Sequence, residues 1–180
     1  MKKSSKSLRL TVFLALLVAI SIVAGKYLAI RGGDIMRFSL ENMPIIFAGM
    51  AFGPASGVIV GVVADLVGCL MVGYTVNLFV ALGAAAIGAI SGLVPMLLKK
   101  TKIDARLITV ITVALAHLIG SVIIKTVGLS SYYDIPFIIL MLWRILNYII
   151  VGVADGVITH ILLNNKEIQT QIGALGGEKQ

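Results

Sequence analysis

Four ionisable residues interrupt otherwise apolar stretches of the sequence, and they are the first candidates for chemistry: Asp65, His117, Arg144 and Asp155. If these stretches span a membrane, each residue needs a partner or a binding role, because a charge in lipid is costly. At 1.5 Å per residue, Asp65 lies roughly 10 Å from the C-terminal end of its helix and Arg144 roughly 12 Å from the N-terminal end of its helix, and both of these ends are expected on the outer side of the membrane. The sequence therefore predicts an Asp65–Arg144 ion pair, a polar pocket lined by both, or both at once.

The neighbours of Arg144 are typical of a ligand pocket. Trp143 precedes it, and Asn147 and Tyr148 follow at the spacing that shares one helix face. An indole, an amide and a phenol on one side of a helix can stack on a ring and read its polar edge. We expect Trp143, Arg144 and Asn147 to contact a ligand.

Asp155 and His117 have plainer explanations. Asp155 follows Arg144 by eleven residues, about three turns deeper, beside Thr159 and His160, which predicts a structural or cytoplasm-facing role. His117 lies in the middle of an apolar run, where a lone histidine is more often a hydrogen-bonded core group. A ligand contact by His117 is the alternative, and we keep it among the candidate site residues.

Cations, aromatic rings and amides gather in three loops between the apolar runs. Those that we assign to a ligand site are Lys26, Arg37, Phe38, Tyr74, Asn77 and Lys125; Tyr27, Arg31, Tyr132, Tyr133 and Asp134 share these loops. Such a set suits a flat heteroaromatic ligand with an acidic tail, because rings stack, amides read edges and cations hold carboxylates. The aromatics, Tyr132 and Tyr133 above all, could instead form an interfacial belt.

Motifs for enzymatic chemistry are absent from the sequence. There is no Walker lysine loop, no HExxH and no GxSxG, so the chain cannot hydrolyse ATP itself and no catalytic residue is assigned. The lone Cys69 is expected to be a small packing residue, and no Cys/His cluster predicts a metal. We expect no cofactor.

Composition fixes the class of protein. The 180 residues are 59% apolar and 13% charged, with a mean hydropathy of +1.05. A soluble domain needs more surface charge than this, so we expect a single integral membrane domain over residues 1–180. Continuous apolar runs predict helices rather than a barrel. The net charge of +7 comes from short basic loops and does not indicate nucleic-acid binding.

The apolar runs predict an all-α bundle of six transmembrane helices. Their expected bounds are 8–29, 44–52, 55–72, 76–98, 105–127 and 137–163. The basic start and apolar run that follow Met1 resemble a signal peptide, but the run is long enough to be a retained first helix. The polar tail, residues 164–180, is expected to be poorly ordered.

The distribution of basic residues predicts that both termini are cytoplasmic. The amino terminus, the loop near residue 100 and the tail hold ten Lys or Arg, whereas the loops on the other side and their helix ends hold four. Short basic loops stay in the cytoplasm. We therefore expect the chain to lie in a cell membrane with both ends in the cytoplasm.

Small residues recur four apart on several helices, which lets helix backbones approach closely in lipid. Most such stripes must be internal packing. Ala15 and Ala19 differ because the first helix of a small bundle can keep one face free, so this pair could instead receive a partner protein.

The segment "RFSLENMPIIFAGMAFGPASGVIVGVVADLVGCL", from Arg37 to Leu70, resembles a known family. The chain is similar to the S components of energy-coupling factor (ECF) transporters, over nearly its whole length. Within that family it is most similar to the folate-specific members, although riboflavin-specific members share much of this segment.

The resemblance implies a non-enzymatic subunit that binds a vitamin near the outer face. It implies association with a membrane scaffold subunit and two cytoplasmic ATPases, followed by toppling of the whole subunit to release the vitamin inside. It also assigns Ala15 and Ala19 to the contact with the scaffold.

Folate fits the candidate residues chemically. Asp65, Asn77 or Asn147 could read the pterin edge, Phe38, Tyr74 or Trp143 could stack on it, and cations could receive the glutamate tail: Lys26, Arg31, Arg37 and Lys125. An S component for riboflavin is the nearest alternative. A membrane enzyme built on Asp65, His117 and Arg144, and a channel or structural protein, are alternatives of other classes.

The segment from Arg37 to Pro54 predicts a lid joined to a short second helix. We expect Asn42 to cap that helix, Pro44 to lie in its first turn, and Gly53-Pro54 to end it. Arg37 would either touch the ligand or pin the loop to Glu41 or Asp34.

Overall fold

Apolar helices dominate the structure because in lipid a helix satisfies its own backbone hydrogen bonds. The computed structural model describes residues 2–32 and 36–177. The expectations for Asp34 and for the side chains of Arg31 and Tyr133 fall outside what it describes.

The first half of the chain contains three helices and a hairpin. Helix α1 (Lys2–Ile22) continues as a π-helical segment, π1 (Val23–Tyr27). Strands β1 (Ile30–Gly32) and β2 (Met36–Phe38) pair antiparallel, with Arg31 opposite Arg37. Helices α2 (Met43–Phe52) and α3 (Pro54–Met71) follow.

The second half of the chain is helical throughout, apart from its connections. Helix α4 (Leu78–Leu98) is followed by α5 (Ala105–Ala116), which runs through a second π-helical segment, π2 (His117–Ile124), into α6 (Lys125–Tyr133). Helices α7 (Phe137–Asn164) and α8 (Lys166–Leu175) end the described chain.

Within the described residues, five helical stretches are long and apolar enough to cross a membrane: 6–27, 54–71, 78–98, 105–132 and 137–164. Helix α2, with 10 residues, is too short to do so. It is surrounded by other helices instead of lipid, and its residues from Pro44 to Ala51 are all buried. Gly53, at φ 88°, ends it and lets α3 begin at Pro54.

Helices α3 and α4 approach each other closely through glycines. A Cβ atom added to Gly88 would lie 2.1 Å from the carbonyl carbon of Gly57. No side chain fits there, so the backbones pack directly, as small-residue stripes allow in membrane proteins.

Several element predictions need correction. The first loop contains the short β1–β2 hairpin, which was not predicted, although the all-helical architecture is as expected. The fifth helix continues to Tyr133, past the predicted end at residue 127. The tail contains α8, whose Ile172 is 2% exposed, so the expectation of a poorly ordered tail is wrong over these residues.

The bundle has two ends, which we call the hairpin end and the basic end. The hairpin end holds π1, the β-hairpin and the start of α2. The basic end holds the α4–α5 connection with Lys99, Lys100 and Lys102, together with α8.

Candidate functional site

A group of charged and amide side chains meets at the hairpin end, where π1, the β2–α2 connection, α3 and α6 converge. We call it the polar cluster; its members are Lys26, Arg37, Glu41, Asn42, Asp65 and Lys125. All except Arg37 line a small cavity of about 20 Å³. The cavity lies between α1, α2, α3 and α4, with Ser21, Ile45 and Ala84 among its walls.

Glu41 is the centre of the polar cluster. Its Oε2 lies 3.0 Å from Arg37 Nη2, and its Oε1 lies 3.6 Å from Lys125 Nζ. Burial alone would raise the pKa of Glu41, but the nearby cations, Lys125 first and then Arg37, lower it from 4.5 to about 2. Glu41 is therefore a carboxylate at any physiological pH.

Main-chain contacts hold Glu41 against π1. Ser21 Oγ donates to the Glu41 carbonyl at 2.6 Å, and Arg37 Nη2 donates to the Gly25 carbonyl. A Cβ atom on Gly25 would lie 2.5 Å from Glu41 Oε2, so only glycine lets the carboxylate approach. The second strand of the hairpin is thereby tied to the end of the first helix.

Buried polar atoms without a hydrogen-bond partner concentrate around this cluster. Within the described residues they include Asp65 Oδ2, Arg37 Nε, Asn42 Nδ2 and Asn147 Oδ1. Buried polar groups are normally paired, because an unpaired one costs about 1–3 kcal/mol. A set of unpaired donors and acceptors side by side is what a polar ligand can satisfy.

Lys26 extends the cluster toward the α3–α4 connection. Its Nζ donates to Cys69 Sγ at 3.8 Å and lies 5.7 Å from the ring centre of Tyr74. The cation and the ring predicted for one site are thus brought together. Cys69 is a buried free cysteine of α3.

Helix α7 reaches the cluster through Asn147. Its Nδ2 donates to the Arg37 carbonyl at 2.8 Å, which ties α7 to β2. Phe38 follows Arg37 in β2 and is half-buried. Lys26, Arg37, Asp65 and Lys125 therefore converge as predicted, with Asn147 beside them.

The comparisons with known proteins agree with this architecture. One solved structure, described as FolT bound with folic acid, has a TM-score of 0.68 and 23% identity, covering 84% of this chain and 90% of that one. An S component for biotin from an ECF-type ABC transporter has a TM-score of 0.66 and 21% identity, covering 89% and 94%. The S component of a bacterial ECF transporter has a TM-score of 0.60 and 18% identity, covering 87% and 96%.

Sequence decides the family. Residues 5–168 match the family model described as "ECF-type riboflavin transporter, S component". The chain belongs to this family. No curated protein matches it in sequence. Membership of this family makes the chain a substrate-binding subunit in the plasma membrane rather than an enzyme. S components bind vitamins and pair with an ECF energising module.

The predicted Asp65–Arg144 ion pair does not exist in the described part of this S component. Arg144 Nε and Nη2 donate to the Ser121 carbonyl at 2.9 and 2.7 Å, and the guanidinium lies 5.2 Å from the Tyr148 ring centre. The reason is the packing: α7 lies against π2, α5, α2 and α6, whereas α3 packs on α4, α2 and α1, so the two helices share α2 as a neighbour but do not pack on each other. Equal depth in the membrane did not mean proximity.

His117 forms part of a buried network away from the cavity. Its Nε2 lies 3.0 Å from Asp155 Oδ2, its Nδ1 lies 3.4 Å from Ser121 Oγ, and its ring stacks on Tyr148 at 4.9 Å. His117 is 3% exposed and Asp155 is fully buried. The S component thus uses His117 as a hydrogen-bonded core group that joins π2 to α7, and Asp155 has the predicted structural role.

Two further candidates lie outside the cavity. Asn77 is the N-cap of α4: its Oδ1 accepts from Phe79 N at 3.0 Å and Val80 N at 3.4 Å, and its Nδ2 donates to the Gly128 carbonyl. Trp143 is 38% exposed on α7. Neither lines the cavity of the polar cluster.

Ala15 and Ala19 lie on the exposed face of α1, beside Leu16 and Ile20, which are 57% and 50% exposed. The internal-packing explanation for this pair therefore does not hold within the described residues. The face is free to meet another protein or lipid.

Asn42 was not predicted as a cluster residue, nor Ser21 as a wall of the cavity, and Glu41 was expected only as a residue that pins Arg37. Asn42 makes no side-chain cap of α2, contrary to expectation; its Oδ1 accepts from Lys125 Nζ at 3.5 Å. The sequence does indicate a role for Glu41, because a carboxylate beside the short apolar segment of α2 needs a cation as its partner.

Proposed function

We propose that this S component captures folate at the polar cluster and delivers it to an ECF energising module. The observation that carries the proposal is the convergence of Lys26, Arg37 and Lys125 on one site where, among the described residues, two carboxylates face them, Glu41 and Asp65. This excess of cations favours an anionic ligand, and folate has a glutamate tail with two carboxylates.

The unpaired groups of the cluster supply the recognition of a ring edge. Asp65 Oδ2 is a buried acceptor, and Asn42 Nδ2 is a buried donor nearby in the cavity. An aminopyrimidinone edge offers donors and acceptors side by side, so it can pair with such groups. Phe38 and Tyr74, which adjoin Arg37 and Lys26, are the rings that we propose for stacking.

Ligand entry requires the hairpin end to open. The cavity of about 20 Å³ has room for one water molecule, whereas sites for small ligands measure about 300–1,000 Å³. The Arg37–Glu41 pair and the Asn147 contact to β2 hold the site closed. We propose that a folate carboxylate replaces Glu41 as the partner of Arg37 when the site opens.

The transport step would follow the scheme that the family implies. The hairpin end faces outward, because most basic residues lie at the other end. After capture, Ala15 and Ala19 on the exposed face of α1 would contact a membrane scaffold subunit, and two cytoplasmic ATPases would supply energy. The whole subunit would topple to release the vitamin inside.

Riboflavin is the second candidate, because the matching family model is named for riboflavin transport. Riboflavin has a flat ring system but no carboxylate. Riboflavin would pair the polar edge of its ring system with Asp65 and Asn42, and the excess cations would have no ligand carboxylate to bind.

Calorimetry on the purified full-length chain separates these candidates, with folate, pteroate and riboflavin as ligands. Pteroate is the matched probe, because it has the pterin and the benzoate but lacks the glutamate. We expect folate to bind tightest, without ATP or metal, and pteroate about tenfold or more weaker. Tight riboflavin binding without folate binding would replace folate by riboflavin, and binding of neither would contradict both.

A further inference from the structure

A second cavity lies on the side of the bundle, between α5–π2 and α7, and we call it the lateral groove. Its volume is about 530 Å³ and nearly all of its lining is apolar. It runs from Arg106 near the start of α5 to Val122 in π2, which is roughly 24 Å along the helix. It is separate from the polar cluster, because the two cavities share no lining residue.

Glycines keep the lateral groove open. A Cβ atom on Gly152 would lie 3.5 Å from His117 Cδ2, and one on Gly156 would lie 3.9 Å from Val113 Cγ2, both ordinary contact distances. These positions therefore have room for a side chain, unlike Gly57 and Gly88, where backbones touch. Two glycines on α7 thus leave free volume where larger residues would close the gap.

The end of the groove at the basic end carries charge. Arg106 lies there in the first turn of α5, exposed, and its guanidinium forms no ion pair within the described residues. His160 lines the opposite wall on α7, hydrogen-bonded to Asn164. An apolar slot that ends at an exposed arginine matches an anionic lipid, with its chain inside the slot and its phosphate at the rim.

Size favours a lipid chain over a partner helix. A helix of the same length and about 10 Å in diameter occupies roughly 1,900 Å³ with its side chains, several times the volume of the groove. A single extended chain needs far less width. We propose that the lateral groove binds one acyl chain of an anionic phospholipid, whose phosphate contacts Arg106.

Native mass spectrometry of the full-length chain, released from bilayers of phosphatidylglycerol mixed equally with phosphatidylcholine, tests this proposal. Arg106→Gln removes the cation at the rim, and Lys102→Gln is the matched control with the same change of charge outside the groove. We expect retained phosphatidylglycerol to fall about fivefold in Arg106→Gln and to change little in Lys102→Gln. Equal loss in both variants would mean unspecific attraction and would overturn the proposal.

Gly156→Leu fills the groove, and Val63→Leu adds bulk on α3 at a lipid-exposed position outside it. We expect Gly156→Leu to lower phosphatidylglycerol retention at least fivefold and Val63→Leu to leave it unchanged. Unchanged retention in a folded Gly156→Leu variant would contradict the proposal, and so would loss of assembly with the energising module without loss of lipid, which would indicate a partner helix. If Gly156→Leu fails to fold, the Arg106→Gln comparison decides alone, because Arg106 is exposed.

Discussion

The Arg37 guanidinium lies 3.0 Å from the Glu41 carboxylate, and this ion pair fastens strand β2 to the connection that leads into the buried helix α2. Lys125 of α6 approaches the other oxygen of the same carboxylate at 3.6 Å. Glu41 therefore links β2, which ends a few residues before it, to α6, which lies far along the chain. In the proposed function, a ligand carboxylate replaces Glu41 as the partner of Arg37. The Arg37–Glu41 pair would then both close the site and give way to the ligand.

Acid should weaken the fold through Glu41. Its pKa is about 2 in the folded protein and near 4.5 in the unfolded chain, so the unfolded state binds more protons. The contribution of Glu41 is full above pH 4.5 and is lost as the pH falls toward 2. A difference of this size corresponds to about 3 kcal/mol.

Thermal unfolding in detergent between pH 7 and pH 2.5 checks this, with Glu41→Gln as the comparison. The wild-type chain should be the more stable at pH 7, and the difference between the two should shrink as the pH falls. Other carboxylates titrate in both proteins, so the difference isolates Glu41. Two parallel curves would mean that Glu41 is not held by its cations.

Residue types predicted which side chains come together better than depth along a helix did. Lys26, Arg37 and Lys125 at loops and helix ends, and Asp65 and Asn147 within helices, were grouped because apolar surroundings force polar groups together, and the structure brings them close. That these residues contact a ligand stays a prediction. Depth along a helix gives no angle around the bundle, and this is why Asp65 and Arg144 were paired wrongly.

Tertiary contacts that a single sequence does not display account for the other errors. The short hairpin lacks the alternation of a longer strand, and Asn42 turns from its helix to Lys125, which is 83 residues away. Helix α8 packs on the bundle through Ile172, which is buried, and Ile168, and tertiary packing of this kind supplies most of the stability of a short helix.

Asp65→Asn should weaken folate binding about 10- to 100-fold. The reason is that a hydrogen bond to a charged group contributes about 1.5–3 kcal/mol, and Asp65 Oδ2 is a buried acceptor without a partner in the described chain. Asp134→Asn is the matched control: Asp134 is exposed at the same end with φ 52°, a conformation that asparagine also adopts readily. Calorimetry measures both. Equal affinity of the Asp65 variant and the wild type would leave Asp65 only a structural role.

Asn77→Ala should lower stability without changing folate affinity. The loss of an N-cap costs about 1 kcal/mol, and the bond to the Gly128 carbonyl is lost as well. Asn77→Asp keeps the cap acceptor and should recover part of the stability. Unfolding midpoints and calorimetry on the same samples give the answer. A tenfold loss of affinity at unchanged stability would show that Asn77 contacts the ligand, as the sequence had predicted.

Replacement of Ala15 and Ala19 by leucine should prevent assembly with the energising module and leave folate affinity intact. Both residues lie on the exposed face of α1, on the opposite side of the helix from buried Leu17 and away from the cavity. Added side chains there would separate two closely packed helix backbones, which lipid-embedded interfaces tolerate poorly. Val63→Leu is the control, because it enlarges an exposed residue of α3 by one methylene group. Co-purification measures assembly, and calorimetry on the lone subunit measures binding. Full assembly of the double variant would place the scaffold elsewhere, whereas loss of folate binding would show that this face supports the site from within.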